Sequence, residues 1–301
     1  MVAARVTSRG SSQGRTRRRE SLSAALFLLP ALALLVLFRL APVMIVARDS
    51  LFIGQRFVGL DNFTFLFDSS TFRESLVTTL QFNLIINPLQ ILIAFGLALV
   101  LTDGARRAGL WQTLNLLPIA VPLAVSAVVW GVALRPDDGI VNAVLDTVGV
   151  PAQPWLTSPD QAIWAIIIMA SWVGVGYWSL FLVSGLKQIP PSLTEAAAVD
   201  GAGYWRNLVS IRLPLMRRPL AFVLVADTVV NLLLFAPVQI LTRGGPQGST
   251  NLVMFDVFRT AFVLNDKALA SAETLLLIVV VLLIVSFQFR LLGGSDLDGS
   301  S

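Results

Sequence analysis

Three stretches of this chain, Ser75–Thr102, Leu110–Leu134 and Ala162–Leu186, contain no charged residue. Each exceeds the roughly 20 residues that a helix rising 1.5 Å per residue needs to cross about 30 Å of hydrocarbon. Nothing else in the sequence narrows the fold as much. In hydrocarbon no water pairs with a bare N–H or C=O, so each backbone group must be satisfied within its own segment, and the helix does this. Three more apolar stretches carry one charge each: Leu22–Ala47 (Arg39), Pro219–Leu241 (Asp227) and Leu269–Phe289 (Glu273). The expected fold class is therefore an all-α membrane protein with six transmembrane helices, at about 22–47, 76–102, 110–134, 162–186, 219–241 and 269–289. Before them lies an Arg- and Ser-rich tail, 1–21, expected to be disordered, and after them a short tail, 291–301. Composition agrees, with 13% charged residues against about 25% in a typical soluble domain.

The basic residues orient these spans. With the N-terminus inside, the segments 1–21, 103–109, 187–218 and 290–301 hold 14 Lys or Arg, and the opposite segments hold 7. That bias places both termini in the cytoplasm. The net charge of +4 is read as this topology signal rather than as a nucleic-acid surface.

Two residue types are missing. Without Cys, thiolate nucleophiles, disulfides and iron–sulfur clusters are excluded, and without His so are Ser-His-Asp triads, haem and His-ligated metals. No metal site is expected. The two lysines, Lys187 and Lys267, lie outside any G-x-x-x-x-G-K-[ST] loop, so this chain has no phosphate cradle for ATP. An intramembrane protease would need an aspartate pair or a Ser-Lys dyad, and the spans supply neither.

The cytoplasmic segment 187–218 is not a plain connector. Ser192 followed by Glu195 reads as a capping box that starts a helix through Ala196, Ala197, Ala198 and Val199. Gly201 and Gly203 can end it, and a second short helix is expected from Tyr204 to Ile211, stopping before Pro214. The helix–turn–helix offers small residues at Ala196, Ala197 and Gly201, and apolar anchors at Leu193, Leu208 and Ile211. Such a surface suits a groove on a partner, or packs under the spans. Prolines at 30, 42, 88, 118, 122 and 237 each remove a backbone donor and can kink their spans.

At these positions the chain resembles a known family. Glu195-Ala196-Ala197, Asp200-Gly201-Ala202, Ile211, Leu213-Pro214 and Pro219 reproduce the spaced EAA motif of permease subunits in binding-protein-dependent ABC importers. Phe57-Val58-Gly59-Leu60-Asp61-Asn62-Phe63, Trp155-Leu156-Thr157 and Leu241-Thr242-Arg243-Gly244-Gly245-Pro246 resemble segments of the carbohydrate-uptake branch, the maltose and glycerol-3-phosphate permeases. Arg243 departs from the Gly usual in that last loop.

The resemblance implies a permease that forms half of the pathway for a sugar or related polar solute in a bacterial inner membrane. sn-Glycerol-3-phosphate or a glycerophosphodiester is the alternative solute, and a secondary transporter is a distant alternative. Partners implied are a second permease, two ATPase subunits that hold the ATP and Mg, an extracytoplasmic solute-binding protein and the lipid bilayer. This chain itself would bind no cofactor and catalyse nothing. By position, Glu195, Ala196, Ala197, Asp200, Gly201, Ile211 and Pro214 become the residues coupling to the ATPase.

Candidate pathway residues are the polar and aromatic groups inside the spans: Asn83, Asn87, Trp172, Tyr177, Asp227 and Asn231. Asn83 and Asn87, like Asp227 and Asn231, are four apart and share a helix face, with Gln90 three beyond Asn87. Bonding between helices, or pairing of Asp227 with a cation such as Arg39, is the alternative.

Overall fold

The computed structural model describes residues 27–103 and 108–293. The basic tail 1–21 and most of the C-terminal tail lie outside the described residues, as does part of the 103–109 connection. The chain is predominantly helical. Five helices are long and apolar enough to cross a membrane: Phe27–Asp49, Ser70–Asp103, Pro159–Leu186, Arg217–Leu241 and Lys267–Leu291. They are the first, second, fourth, fifth and sixth spans.

The third expected span is not one helix. It is a pair, Gly109–Ala120 and Leu123–Ala133, meeting at 94°. The prolines explain the break. Pro122 has no N–H to give the carbonyl of Pro118 four residues back, and it pushes Val121 out of the α region. Only a long turn bond, from Val121 N–H to Pro118 O at 3.3 Å, bridges the corner. By contrast, Pro88 sits inside the second span without interrupting it.

The second span is the central post, and the fourth packs along most of its length. Their shared core, with Ala94, Ala98, Trp178, Leu182 and Leu186, extends to Val223 of the fifth span and to Leu208 and Met216 of the loop. Small residues at 94 and 98 let the helices approach closely, the usual device where lipid provides no hydrophobic drive. A second cluster, with Phe82, Ile86, Ile166, Ile167, Val238 and Phe255, continues along the same seam. Gly176 marks a very tight approach, because a Cβ there would lie 2.5 Å from the backbone oxygen of Asn115 on the broken third span. The first span stays at the edge, packed against the sixth, with none of its most apolar window buried.

The all-α expectation needs one small amendment, a hairpin pairing Phe52–Ile53 with Arg56–Phe57. Gly54, at φ +63°, supplies the positive φ that such a tight turn demands.

The segment after the fourth span forms two helical pieces. The first, Pro191–Val199, begins one residue earlier than expected and has no side-chain cap, so the anticipated Ser192 capping box is absent. Pro191 starts it instead, since its fixed φ suits the first turn and its missing N–H has no partner to lose there. Its end matches expectation: Gly201, at φ +77°, lets Ala202 N–H reach Ala197 O at 2.8 Å and Gly201 N–H reach Ala198 O at 3.1 Å. The second piece does not stop before Pro214. It runs Tyr204–Asn207, a π turn Leu208–Arg212, then Leu213–Leu215. The π turn, closed by Leu213 N–H on Leu208 O, puts Pro214 in the first turn of the next segment, where no N–H is required.

Candidate functional site

The fold brings four spans together around one buried carboxylate. Asp227 of the fifth span is 1% exposed and accepts a hydrogen bond from the Trp178 indole N–H at 2.7 Å. Gln90 of the second span, with its amide nitrogen turned to the carboxylate, donates to both Asp227 oxygens at 2.7 and 3.0 Å. The Gln90 oxygen then accepts from the Ser171 hydroxyl at 3.2 Å. One turn further along, Asn231 donates to Asn87 Oδ1 at 2.8 Å, and Asn87 donates to Thr228 Oγ1 at 3.0 Å. Gln288 of the sixth span donates to the same hydroxyl at 2.9 Å. Asn83 ends the ladder, donating to Thr79 O at 2.9 Å.

Bonds of this kind between neutral groups average about 0.6 kcal/mol in a bilayer. Removing Gln90 would leave Asp227 Oδ2 bare at membrane depth, which costs more than the bond itself contributes, whereas without Trp178 both oxygens keep Gln90 as donor.

Beside this network lies a cavity of about 460 Å³, open on one side. Gln90, Tyr177, Trp178, Asp227 and Asn231 line it, and the bend Ile119–Leu123 of the third span forms its wall. Had the third span been straight, its backbone would run past this space rather than turn around it. Gly174 also borders the cavity, and a Cβ there would press on Gln90 at 3.0 Å.

Of the residues expected from sequence, Asp227 and Asn231 line the cavity, while Asn83 and Asn87 stand behind Asn231 and hold it. Tyr177 lines the cavity with 52% of its surface exposed and its ring edge-on to Trp178. Trp172 stands apart, in an edge contact with Trp130 at 6.0 Å. The pairing of Asp227 with Arg39 is not formed. Asp227 is satisfied by Trp178 and Gln90, and Arg39 sits on the peripheral first span. Sequence reasoning missed Trp178, Thr228 and Gln288. Trp178 lies seven residues after Ser171 and so shares its helix face, the one signal that pointed to it.

The loop 187–218 presents a second surface. Glu195, Ala196, Asp200, Gly201 and Pro214 are exposed, Ile211 is half-buried and Ala197 is buried. Among the expected anchors, Leu193 faces outward, but Leu208 packs into the core beneath the spans. Val199, Tyr204, Trp205 and Val209 take its place as the exposed apolar groups.

A third feature lies between the fifth and sixth spans. Arg243 is at φ +52° and Gly244 at φ +81°, and the Gly245–Pro246 peptide is cis. Thr250 ties the loop by donating to Gly245 O at 2.8 Å, and Val253 N–H bonds Thr79 Oγ1 of the second span at 2.9 Å. Arg243 and Arg259 line a separate pocket here with Glu74 and Asn251. Arg259 also pairs with Asp256 at 2.6 Å. Burial nonetheless pushes the Asp256 carboxyl above the usual carboxylate range, with Arg259 opposing it.

A multi-span helical protein with a largely apolar cavity between its spans, into which a few polar groups project, and a folded helical loop outside them has the layout of a solute-conducting membrane subunit. Residues 90–293 match the family described as binding-protein-dependent transport system inner membrane component, and the chain belongs to that family. It is 33% identical over 270 residues to the trehalose/maltose transport system permease protein MalF of Thermococcus litoralis, covering 88% of this chain and 91% of that protein. It is 34% identical over 238 residues to the sn-glycerol-3-phosphate transport system permease protein UgpA of Escherichia coli O157:H7, covering 79% and 80%. Its fold matches a chain from a bacterial ABC transporter involved in the import of the acidic polysaccharide alginate, with a TM-score of 0.84 at 24% identity over 94% of this chain and 99% of that one.

Proposed function

We propose that this chain is the permease subunit of a binding-protein-dependent ABC importer and forms half of the translocation pathway for a neutral sugar or similar polyhydroxylated solute. The observation that carries the solute class is the cavity lining. Among apolar side chains from the third, fourth and fifth spans it offers one carboxylate, two amides, an indole and a phenol, and among the described residues lining it there is no Arg or Lys. Hydroxyl-rich solutes exchange hydrogen bonds with amides and carboxylates and stack on aromatic rings. A phosphate or uronate shed of water would meet Asp227 and find no cation to offset it. The cations Arg243 and Arg259 line a different pocket. The glycerol-3-phosphate reading suggested by UgpA is therefore the weaker one.

In this reading ATP is hydrolysed on a separate subunit, and the exposed face of Pro191–Val199, with Glu195, Ala196, Asp200 and Gly201, docks in a cleft on it. A small-residue helix ended by a Gly cap allows the close backbone approach that such docking needs. Six spans, with the bent pair counted as one, leave both termini and this loop on the same side, and the Lys and Arg bias makes that side the cytoplasm. A secondary transporter would give the loop no task. The test is uptake by proteoliposomes holding the complete importer and its binding protein, with labelled trehalose, maltose and sn-glycerol-3-phosphate. A neutral sugar should be taken up, and Asn231→Ala should cut that uptake at least tenfold. Uptake of the phosphate ester alone would sink the neutral-solute reading.

A further inference from the structure

One contact ties the loop to the spans by charge. Arg212, the last residue of the π turn, points its Nη1 at Asp103, the last residue of the second span. That nitrogen donates to both carboxylate oxygens, at 2.7 and 2.6 Å, between residues 109 apart in sequence. The side chains are only 19% and 26% exposed, so the pair is shielded from water more than a surface ion pair is. This half of the loop also packs through Leu208 and Met216 into the apolar core shared by the second, fourth and fifth spans. The apolar attachment is shared among three spans, whereas the ion pair ends on the second span alone. That span also carries Gln90, the amide on Asp227, 13 residues from Asp103 and so about 20 Å along the helix.

We infer that the Arg212–Asp103 pair is the positioning contact through which movement of the loop enters the second span and reaches the cavity. The inference rests on the reading of the loop as the dock for the ATPase. The helix Pro191–Val199 takes the push, the π-turn helix transmits it, and the ion pair fixes the lever to one rigid span rather than letting it slide. A directional bond from a guanidinium to one carboxylate adds a fixed point to the apolar packing, so the two elements move together. Neither residue touches solute, and both act by holding the loop to Gln90's helix.

The test uses the assembled importer with spin labels at the exposed positions Leu84 on the second span and Leu283 on the sixth. Their distance is measured without nucleotide and after trapping with ATP and vanadate, which needs no transported solute. The wild type should show a shift on trapping. Arg212→Gln should copurify with the ATPase in wild-type amounts and lose at least half of that shift. The exchange Arg212→Asp with Asp103→Arg should regain it. A merely structural pair would lower the melting temperature of Arg212→Gln and leave the shift intact, and that result overturns the inference. A wild type that does not move also overturns it. Failure of the ATPase to copurify with the wild-type chain instead removes the docking reading on which the inference stands.

Discussion

At Arg243 the backbone takes φ +52°, a conformation that costs a side chain with a Cβ about 1 kcal/mol or more and glycine nothing. This is the physical reason a glycine suits the position, and Arg243 carries the strain. Arg243→Gly should raise the melting temperature in detergent, by the equivalent of about 1 kcal/mol less the entropy glycine loses on folding. The next residue should respond in the opposite sense. Gly244 stands at φ +81°, and a Cβ there would lie 2.6 Å from the Phe255 ring, so Gly244→Ala should lower the melting temperature. If both substitutions move it the same way, the strain account is wrong. Gly176→Ala is the matching test of helix contact. It forces apart the fourth span and Asn115, whose amide bonds Gly176 O at 3.2 Å, and should cost about 1–3 kcal/mol, the range seen for overpacking.

The polar network was partly legible at this scale. Asn83, Asn87 and Gln90 fall at spacings of four and three, and Asp227 and Asn231 at four, so each set declares a shared face by its spacing alone. Trp178 and Gln288 declare much less. Trp178 has only its seven-residue spacing from Ser171 and Gln288 has none, and the packing of the fourth and sixth spans against the fifth shows what each bonds. Whether an amide lines a space or stands behind another amide is likewise decided by helix rotation, which spacing leaves open. Asn87 and Asn231 differ in just that way.

Among elements, the third span departs furthest from expectation. Its length and apolarity describe a straight crossing, and its prolines signal only that some kink is present. The angle comes from two prolines four residues apart, so that one supplies the carbonyl the other cannot bond. Pro122→Ala restores that donor and should straighten the segment. Spin labels at the exposed positions Trp111 and Val128 lie 17 residues apart, about 25 Å in a straight helix and less across the 94° bend. The variant should show a distance near the straight-helix value, together with a several-fold loss of uptake as the cavity wall moves. An unchanged distance means that packing against the fourth span, rather than Pro122, sets the angle. The loop shows a related competition: Ser192 and Glu195 carry the capping-box pattern, yet Pro191 at the first helical position starts the helix. The Gly201 cap was legible because a positive φ leaves few alternatives.

For the whole molecule, the first span poses the sharpest question. It is peripheral, with none of its most apolar window buried, and it touches mainly the sixth span. Its packing contributes little to the core, so its task is better sought in how the chain enters the membrane. The tail before it holds 6 of the 14 Lys and Arg on the side read as cytoplasmic, while 7 lie on the other side. Without the tail the balance falls to 8 against 7, and the orienting signal almost vanishes. Replacing Arg5, Arg9, Arg15, Arg17, Arg18 and Arg19 by Gln should therefore divide the population between two orientations. A C-terminal reporter that fluoresces only in the cytoplasm, paired with one active only outside, would read the division. The correctly inserted fraction should melt at the wild-type temperature, because the substituted residues precede the spans that build the core. If orientation stays uniform, the cytoplasmic loops alone suffice. If the melting temperature falls in the correctly inserted fraction, the tail is part of the packed structure and the positive-inside account of its arginines is wrong.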